Sequence, residues 1–584
     1  MTLTPTSNPK LTYRRADFDS LPEALDYAAK GVTGINFYSA RAELVSSLSY
    51  AELRENAAEM ARGLIQAGFE PEQRVVLLGD TDPGIITAFF ACQYASLIPV
   101  IAPIPASLGG REAYIEQLQR LLTSSDATVA MAPADYLGFL EEAVGGLDIN
   151  PKTGTPADFA ALPGNAVDIR PFGPGDACYF QYSSGSTRWP LGVDVPQRCL
   201  MANGYGISNF GLDIRQSDRG ISWLPLYHDM GLVGFLLTPM LCQLSTDFMA
   251  TRDFARRSLT WLKLMGENGC SLAYSPTFGY DLCCRRAENA TSQSFDLRTW
   301  RAAGIGGDMI QPQVMERFAD VFAPHGFDRK AFVASYGMAE ATLAVSFAPI
   351  ESGLDVDHID RKRLADAHVA SPVDDETDKE NTRGFAFCGP ALPDHVFEIR
   401  GRDDEVLDDR LVGRIFVKGP SIAKGYFGEP ETSARVFKDG WLDTGDLGYL
   451  VDGHIVITGR SKDLMIVNGR NIWPQDVEWA VETLPGLRRG DVAVFSIEDQ
   501  DREPEVLILV QCRSRDSEAR AQLAKDVKAT AARAATVDGT VLLVPPHSLP
   551  MTSSGKLSRA RAKQNFLDGL YAEDDEPLPM AAGE

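Results

Sequence analysis

The sequence predicts an α/β protein in two unequal parts, a large N-terminal domain of βαβ sheet layers over residues 1–461 and a small α+β domain over residues 462–584. Three observations carry this. A chain of 584 residues is too long for one ordinary hydrophobic core, so it divides. Between residues 74 and 131, short β-rich runs alternate with helical stretches, the pattern of parallel βαβ units with buried strands. After Gly459 the character changes to short strands between charged helices.

In chain order, Arg74-Val75-Val76-Leu77-Leu78 is a β-rich run ended by Gly79, and Pro83 to Ser96 makes an apolar helix with proline near its start. Leu97 to Ile101 returns to strand, Tyr114 to Ser124 is helical, and Ala127 to Met131 is strand again. The most apolar stretch, Ile85 to Pro105, contains Gln93, Pro99 and Pro103, so it reads as a buried helix followed by a strand and not as a membrane span. Residues 350–383 are rich in Asp and Glu and poor in aromatics; composition alone reads them as a long surface loop. Beyond Lys462, strands at Leu464–Val467, Val492–Phe495, Val506–Val510 and Val541–Val544 flank a helix at Ser517–Ala532. The acidic tail from Glu573 reads as disordered.

Hydrophobic residues at 44% and charged residues at 23% fit a soluble globular protein. The net charge of −24 argues against nonspecific nucleic-acid binding and against an anionic membrane surface. Nine cysteines lack metal-type spacing and read as reduced core thiols. The start of the chain shows no signal-peptide pattern, and a cytoplasmic protein is the expectation.

Seven short motifs could carry chemistry. Ser183, Ser184, Gly185, Ser186 and Thr187 follow an apolar run, and hydroxyls around a glycine let O–H and backbone N–H groups converge on a phosphate. Leu191 stands where a phosphate loop would often carry lysine. His228-Asp229 places an imidazole beside an acid at a turn. Gly306-Gly307-Asp308 offers bare backbone against which a flat ring could lie. Tyr336-Gly337-Met338-Ala339-Glu340 supplies an aromatic face and, four residues on, a carboxylate able to hold Mg²⁺. Thr444-Gly445-Asp446 ends in a carboxylate suited to a ribose diol, and Arg460-Ser461-Lys462 combines basic groups with a plausible hinge. Lys556 follows Ser553-Ser554-Gly555 on a loop near the C-terminus. Taken singly, each is a turn, a strand end or a solvated charge.

Their order is specific. Hydroxyl/glycine loop, His turn, Gly-Gly-Asp, Tyr-Gly-x-x-Glu, Thr-Gly-Asp, Gly-Arg-x-Lys-Asp and Ser-Gly-Lys is the motif series of the adenylate-forming superfamily, which the chain resembles from about residue 15 to 570. The resemblance implies a carboxylate attacking the α-phosphate of ATP·Mg²⁺. It makes Ser183 to Thr187 the β/γ-phosphate loop, Glu340 the Mg²⁺ ligand, and Tyr336 with Gly306 and Gly307 the adenine slot. Asp446 and Arg460 would hold the ribose, and Lys556 would bridge the acyl carboxylate and the α-phosphate. Asp308, Gly337 and Met338 would line the nucleotide site and His228 would stand with the catalytic groups. Lys462 would be the hinge of a mobile small domain.

Within the superfamily, Ser-Gly-Ser-Thr-Arg followed by x-Pro-x-Gly (residues 184–192) and Gly469-Arg470-Asn471-Ile472-Trp473-Pro474-Gln475-Asp476-Val477-Glu478 are similar to the fatty acyl-AMP ligases, as is the stretch around Phe278. Residues 350–383 fall where those enzymes carry an insertion. That turns the surface loop into a packed module at the domain junction, restraining the small domain so that CoA is used poorly. The implied partners are a fatty acid and an acyl carrier protein or polyketide synthase carrier domain; no nucleic acid and no stable membrane insertion are expected. Arg488-Arg489 is one candidate for a basic carrier-docking patch, a solvated helix end being the alternative. The rival readings are a fatty acyl-CoA ligase and a non-catalytic nucleotide-binding scaffold.

Overall fold

Strand direction decides where chemistry can sit in this fold. The computed structural model describes residues 2–105, 110–165, 167–183, 190–288, 294–373, 381–467, 470–499, 502–535, 538–552 and 556–571. Among these, three large sheets of eight, seven and seven strands are followed by a two-stranded and a three-stranded sheet.

The first sheet runs, in spatial order, through Ala344–Phe347, Phe332–Gly337, Ala302–Ile305, Leu272–Ser275, Gly220–Ser222, Thr246–Met249, Gly34–Tyr38 and Leu44–Ser49. Its six inner strands are parallel and its two edge strands antiparallel. Inner strands such as Ala302–Ile305 are buried along their whole length, which is why they read as continuous apolar runs. Parallel strands discharge their loops at one edge, so three of the motifs emerge together: His228-Asp229, Gly306-Gly307-Asp308 and the turn to Glu340. The carboxyl ends of such strands are where open α/β sheets bind ligands.

The second sheet contains the βαβ alternation expected between residues 74 and 131. Arg74–Leu78 pairs in parallel with both Ile98–Ala102 and Ala127–Met131. The connecting helix Pro83–Ala95 starts where Asp82 accepts the amides of Gly84 and Ile85 and where proline needs no amide partner. Residues 85–95 are buried throughout, as a helix between sheet layers must be. No helix among the described residues is long and apolar enough to cross a membrane.

The third sheet is antiparallel and takes in the acidic segment. Val356–Asp360 pairs with Thr382–Pro390, and Asp360 caps the short helix Arg361–Ala367. The surface-loop reading of composition is therefore corrected. Ile359, Leu364 and Ala370 are fully buried against Phe385, Tyr449 and Trp473, apolar residues spaced among the acids. Residues 374–380, which hold the densest acidic run, lie outside the described residues. Elsewhere in this sheet Trp441–Val451 pairs with His454–Arg460 so that Asp446 faces Arg460.

From Met465 onward the chain builds its own small cores. The helix Pro474–Val481 and the long helix Ser517–Ala535 cover one face of Val492–Asp499, Arg502–Gln511 and Thr540–Val544, and the helix Arg559–Leu567 covers the other. The tail from residue 573 lies outside the described residues. All nine cysteines are buried and free.

Candidate active site

A cavity of about 930 Å³ opens between the carboxyl edge of the first sheet and the C-terminal part. Six of the seven motifs line it: His228, Asp308, Glu340, Asp446, Arg460 and Lys556 all face the same space. Of the seventh, the backbone of Ser183 ends the strand Ala177–Ser183, opposite Leu191. The Ser183 side chain and Ser184, Gly185, Ser186 and Thr187 lie outside the described residues, as does Arg188.

The polar end is organised around Asp446. The Tyr336 hydroxyl donates to Asp446 Oδ2 at 2.7 Å, and Arg460 Nε stands 3.5 Å from Oδ1. Gly445 turns with φ +71°, and the Thr444 hydroxyl accepts the Asp446 amide at 3.1 Å. Burial pushes the Asp446 carboxyl up, with Arg460 and Tyr336 pulling the other way.

Glu340 follows the strand Phe332–Gly337 in a tight turn. At Gly337 a Cβ would come within 1.8 Å of the Leu343 carbonyl, so only glycine allows that turn. Two residues beyond Glu340, buried Thr342 holds φ +71°, a strained conformation for a β-branched residue. The Thr342 hydroxyl donates to the Ser421 carbonyl at 2.8 Å and anchors it. Glu340 Oε1 accepts the Tyr426 hydroxyl at 2.9 Å, and burial raises the Glu340 carboxyl. Tyr426 belongs to an edge strand of the second sheet, and no local pattern marked it. A carboxylate raised by burial suits a divalent cation. No cluster of three metal-ligating side chains occurs among the described residues. The single buried carboxylate of Glu340 fits Mg²⁺, which takes one or two carboxylates and completes its shell with waters and phosphates.

His228 Nδ1 sits 2.6 Å from Asp229 Oδ1, and the Met230 amide donates to the same carboxylate oxygen at 2.8 Å. Burial works to raise Asp229, yet His228, the Met230 amide and Lys556 together hold it below its ordinary range. Gly307, at φ +75°, lies so close that a Cβ would meet Met230 Cε at 2.7 Å, while Gly306 abuts the Ser335 hydroxyl. Gly307 presents backbone to the cavity, whereas Gly306 is buried and does not line it.

Lys556 enters from the C-terminal part. Its amide donates to the Thr552 hydroxyl at 3.1 Å, its carbonyl accepts the Thr552 amide at 2.7 Å, and Met551 bridges to Leu557. Burial lowers the Lys556 ammonium, opposed first by Asp308 and also by Asp229 and Asp446. Three residues on, Arg559 grips Asp463 beside exposed Lys462 at 2.6 Å and Glu478 at 2.6 Å. Arg559 thus ties the Lys556 loop to the turn at 461–463 and to the helix Pro474–Val481.

The apolar end is walled by Ile207, Leu212, Phe235, Tyr274, Phe278 and Phe347. Two of its walls are π-helical, Ile207–Gly211 and Met230–Leu237, a winding common at functional sites. Arg489 corrects the expectation of a paired basic patch. Arg488 is exposed, but Arg489 turns inward and donates to Asp308 Oδ2 at 3.0 Å.

The chain belongs to the AMP-binding enzyme family, whose model matches residues 35–427. It is an enzyme, a ligase with the adenylate-forming fold, and the nucleotide that such enzymes use is ATP. A solved structure from work on fatty acyl-adenylate ligases of E. coli and L. pneumophila is 42% identical, with TM-score 0.91 over 96% of this chain and 99% of that one. A Caulobacter vibrioides protein provisionally named an acyl-CoA synthetase is 50% identical over 573 residues, 98% of this chain and 99% of that protein. JamA of Moorena producens, a medium-chain-fatty-acid–[acyl-carrier-protein] ligase, is 28% identical over 594 residues, 95% of this chain and 96% of its own. The fatty acyl-AMP ligase branch read from the motifs is the branch these similarities support.

Proposed function

We propose that the protein activates a fatty acid with ATP to an acyl-adenylate and then transfers the acyl group to the phosphopantetheine thiol of an acyl carrier protein or polyketide synthase carrier domain. The observation that carries the first half is one cavity with an apolar end and a polar end that holds Glu340, Asp446, Arg460 and Lys556 together. A fatty acid needs the first end and a nucleotide the second.

In this reading a carboxylate oxygen of the fatty acid forms a bond to the α-phosphorus as the bond to pyrophosphate breaks. Such chemistry depends on positioning and charge neutralisation more than on proton transfer. Tyr336, Gly306, Gly307 and Met338 frame the adenine, and Asp446 with Arg460 takes the ribose. Ser183 to Thr187 take the β- and γ-phosphates. Glu340 would hold Mg²⁺, which supplies charge neutralisation on the phosphates when bound. Lys556 stabilises negative charge between carboxylate and α-phosphate as it builds, and His228, its ring fixed by Asp229, lies alongside. Residues 462–584 form the lid, with Lys462 in the hinge and residues 350–383 packed into the junction.

The test is product analysis by mass spectrometry with ATP, Mg²⁺ and fatty acids of increasing length. Acyl-AMP and pyrophosphate are expected, and Lys556→Ala is expected to cut their formation by about a hundredfold or more, the scale of losing one transition-state charge donor, with ATP still bound. Full activity in Lys556→Ala sinks the assignment of that lysine. A second reading, transfer to CoA, is favoured by the name of the Caulobacter relative and is separated by offering both acceptors.

A further inference from the structure

The Arg489 backbone is presented rigidly by the C-terminal part. Asp491 Oδ2 accepts the Arg488 amide at 2.7 Å, and Glu482 Oε1 accepts the Gly490 amide at 2.5 Å. Asp491 is in turn held by both terminal nitrogens of Arg513, at 2.6 and 3.0 Å. Gly490 adopts φ +80°, where a Cβ would approach Met551 Cε to 2.8 Å, so this turn packs against the loop that carries Lys556.

From that turn the guanidinium reaches Asp308 on the opposite wall, 181 residues away in sequence. Asp308 follows the Gly-Gly backbone wall, and its other oxygen accepts the Met309 amide at 2.8 Å. Both oxygens of Asp308 are therefore engaged within the protein. The pair is partly buried, with side chains 20% and 29% exposed, which makes a charge-assisted bond stronger than a surface ion pair. Among the described residues, Arg489 Nη1 is buried with no hydrogen-bond partner.

We propose that Arg489 is a positioning residue for adenylate formation: its bond to Asp308 latches the C-terminal part over the cavity and so delivers Lys556 to the reacting groups. The inference rests on the reading of the site given under Proposed function. Arg489 acts through Asp308 and through the turn packed on Met551. A latch that must hold for the first half-reaction and let go for the second needs a bond of middling strength, and a single partly buried ion pair has it. Removing it shifts a two-state closure by about tenfold.

The experiment compares wild type, Arg489→Met and Arg489→Lys in two measurements. In the first, pyrophosphate release with ATP and a fatty acid is set against acyl transfer to a holo carrier protein from supplied acyl-AMP. Arg489→Met is expected to lower kcat for release about tenfold with KM for ATP little changed, and to leave transfer equal or faster. Arg489→Lys, and millimolar guanidinium added to Arg489→Met, recover part of the loss. In the second, hydrogen exchange at residues 304–310 and 488–492 rises about tenfold in Arg489→Met. Unchanged release, or both half-reactions falling together with Tm, overturns the proposal. Unchanged exchange at both segments overturns it whatever the activity. If wild type makes no acyl-AMP from any fatty acid while exchange still rises, the latch stands and the substrate reading falls.

Discussion

Replacing Arg383 with Met should loosen the seam between residues 350–383 and the C-terminal part. Arg383 is 6% exposed, and its Nη2 stands 2.8 Å from Asp476 Oδ1 on the helix Pro474–Val481. Its guanidinium also lies 4.3 Å from the Phe385 ring centre and 5.2 Å from that of Trp473. Burial works to raise the Asp476 carboxyl, and Arg383 is the main charge opposing it. Breaking a buried pair from one side costs about 3–5 kcal/mol because the other charge is stranded. Among the described residues neither terminal nitrogen of Arg383 makes a well-formed hydrogen bond, which places this pair at the lower end. Two cation–π contacts add about 0.5–1 kcal/mol each, partly offset by the packing that methionine retains. A net loss of about 3 kcal/mol corresponds to roughly a hundredfold faster exchange of amides across the seam, at about 1.4 kcal/mol per tenfold. Hydrogen exchange by mass spectrometry over residues 382–390 and 470–481 reads this directly. Adding Asp476→Asn removes the stranded charge and should recover about a tenfold share of protection. Acyl-CoA formation should rise in the single variant if the seam restrains the lid. Protection within threefold of wild type, or a double variant no better protected than the single, would show that the Arg383–Asp476 pair does not hold the seam.

Tyr426→Phe removes the hydroxyl held by Glu340 without emptying the space. Pyrophosphate release is expected to fall about tenfold, with the Mg²⁺ concentration needed for half-maximal rate rising, since losing one hydrogen bond to a charged group costs about 1.5 kcal/mol; an unchanged Mg²⁺ dependence counts against Glu340 as the ligand. Glu482 is pushed up to about 8 by burial first and by Glu478 second. Its folded form therefore binds a proton that the unfolded chain has released, so stability falls as pH rises from about 4.5 to about 8. Glu482→Gln should flatten that part of the Tm-against-pH curve, and a slope identical to wild type would show that Glu482 does not set it.

How much of this was legible in the sequence depends on how local the cause is. Parallel strands that are buried on both faces announce themselves as apolar runs, and the motifs at their carboxyl ends are local, so Gly306-Gly307-Asp308 and Tyr336 to Glu340 could be read directly. Partner choice is not local. Tyr426 meets Glu340 from 86 residues away, and Arg489 meets Asp308 from 181. Arg488 and Arg489 carry the same charge at adjacent positions, yet one faces water and the other the cavity, a difference set by the Gly490 turn and its bond to Glu482. Composition misled over residues 350–383 because an average hides Ile359 and Leu364, which the sheet buries. Nor does composition show that Arg361 donates to the Ala534 carbonyl and that His368 meets Asn471, both in the C-terminal part.

The proposed function gives this cavity an acyl-adenylate product destined for a carrier thiol. One competition tests it: enzyme, ATP, Mg²⁺ and a fatty acid are offered CoA and a holo acyl carrier protein together, and the products are resolved by mass spectrometry. Acyl-AMP followed by acylated carrier is expected, with acyl-CoA a minor product. Acyl-CoA forming as fast as acylated carrier, or no acyl-AMP with any fatty acid, would contradict it.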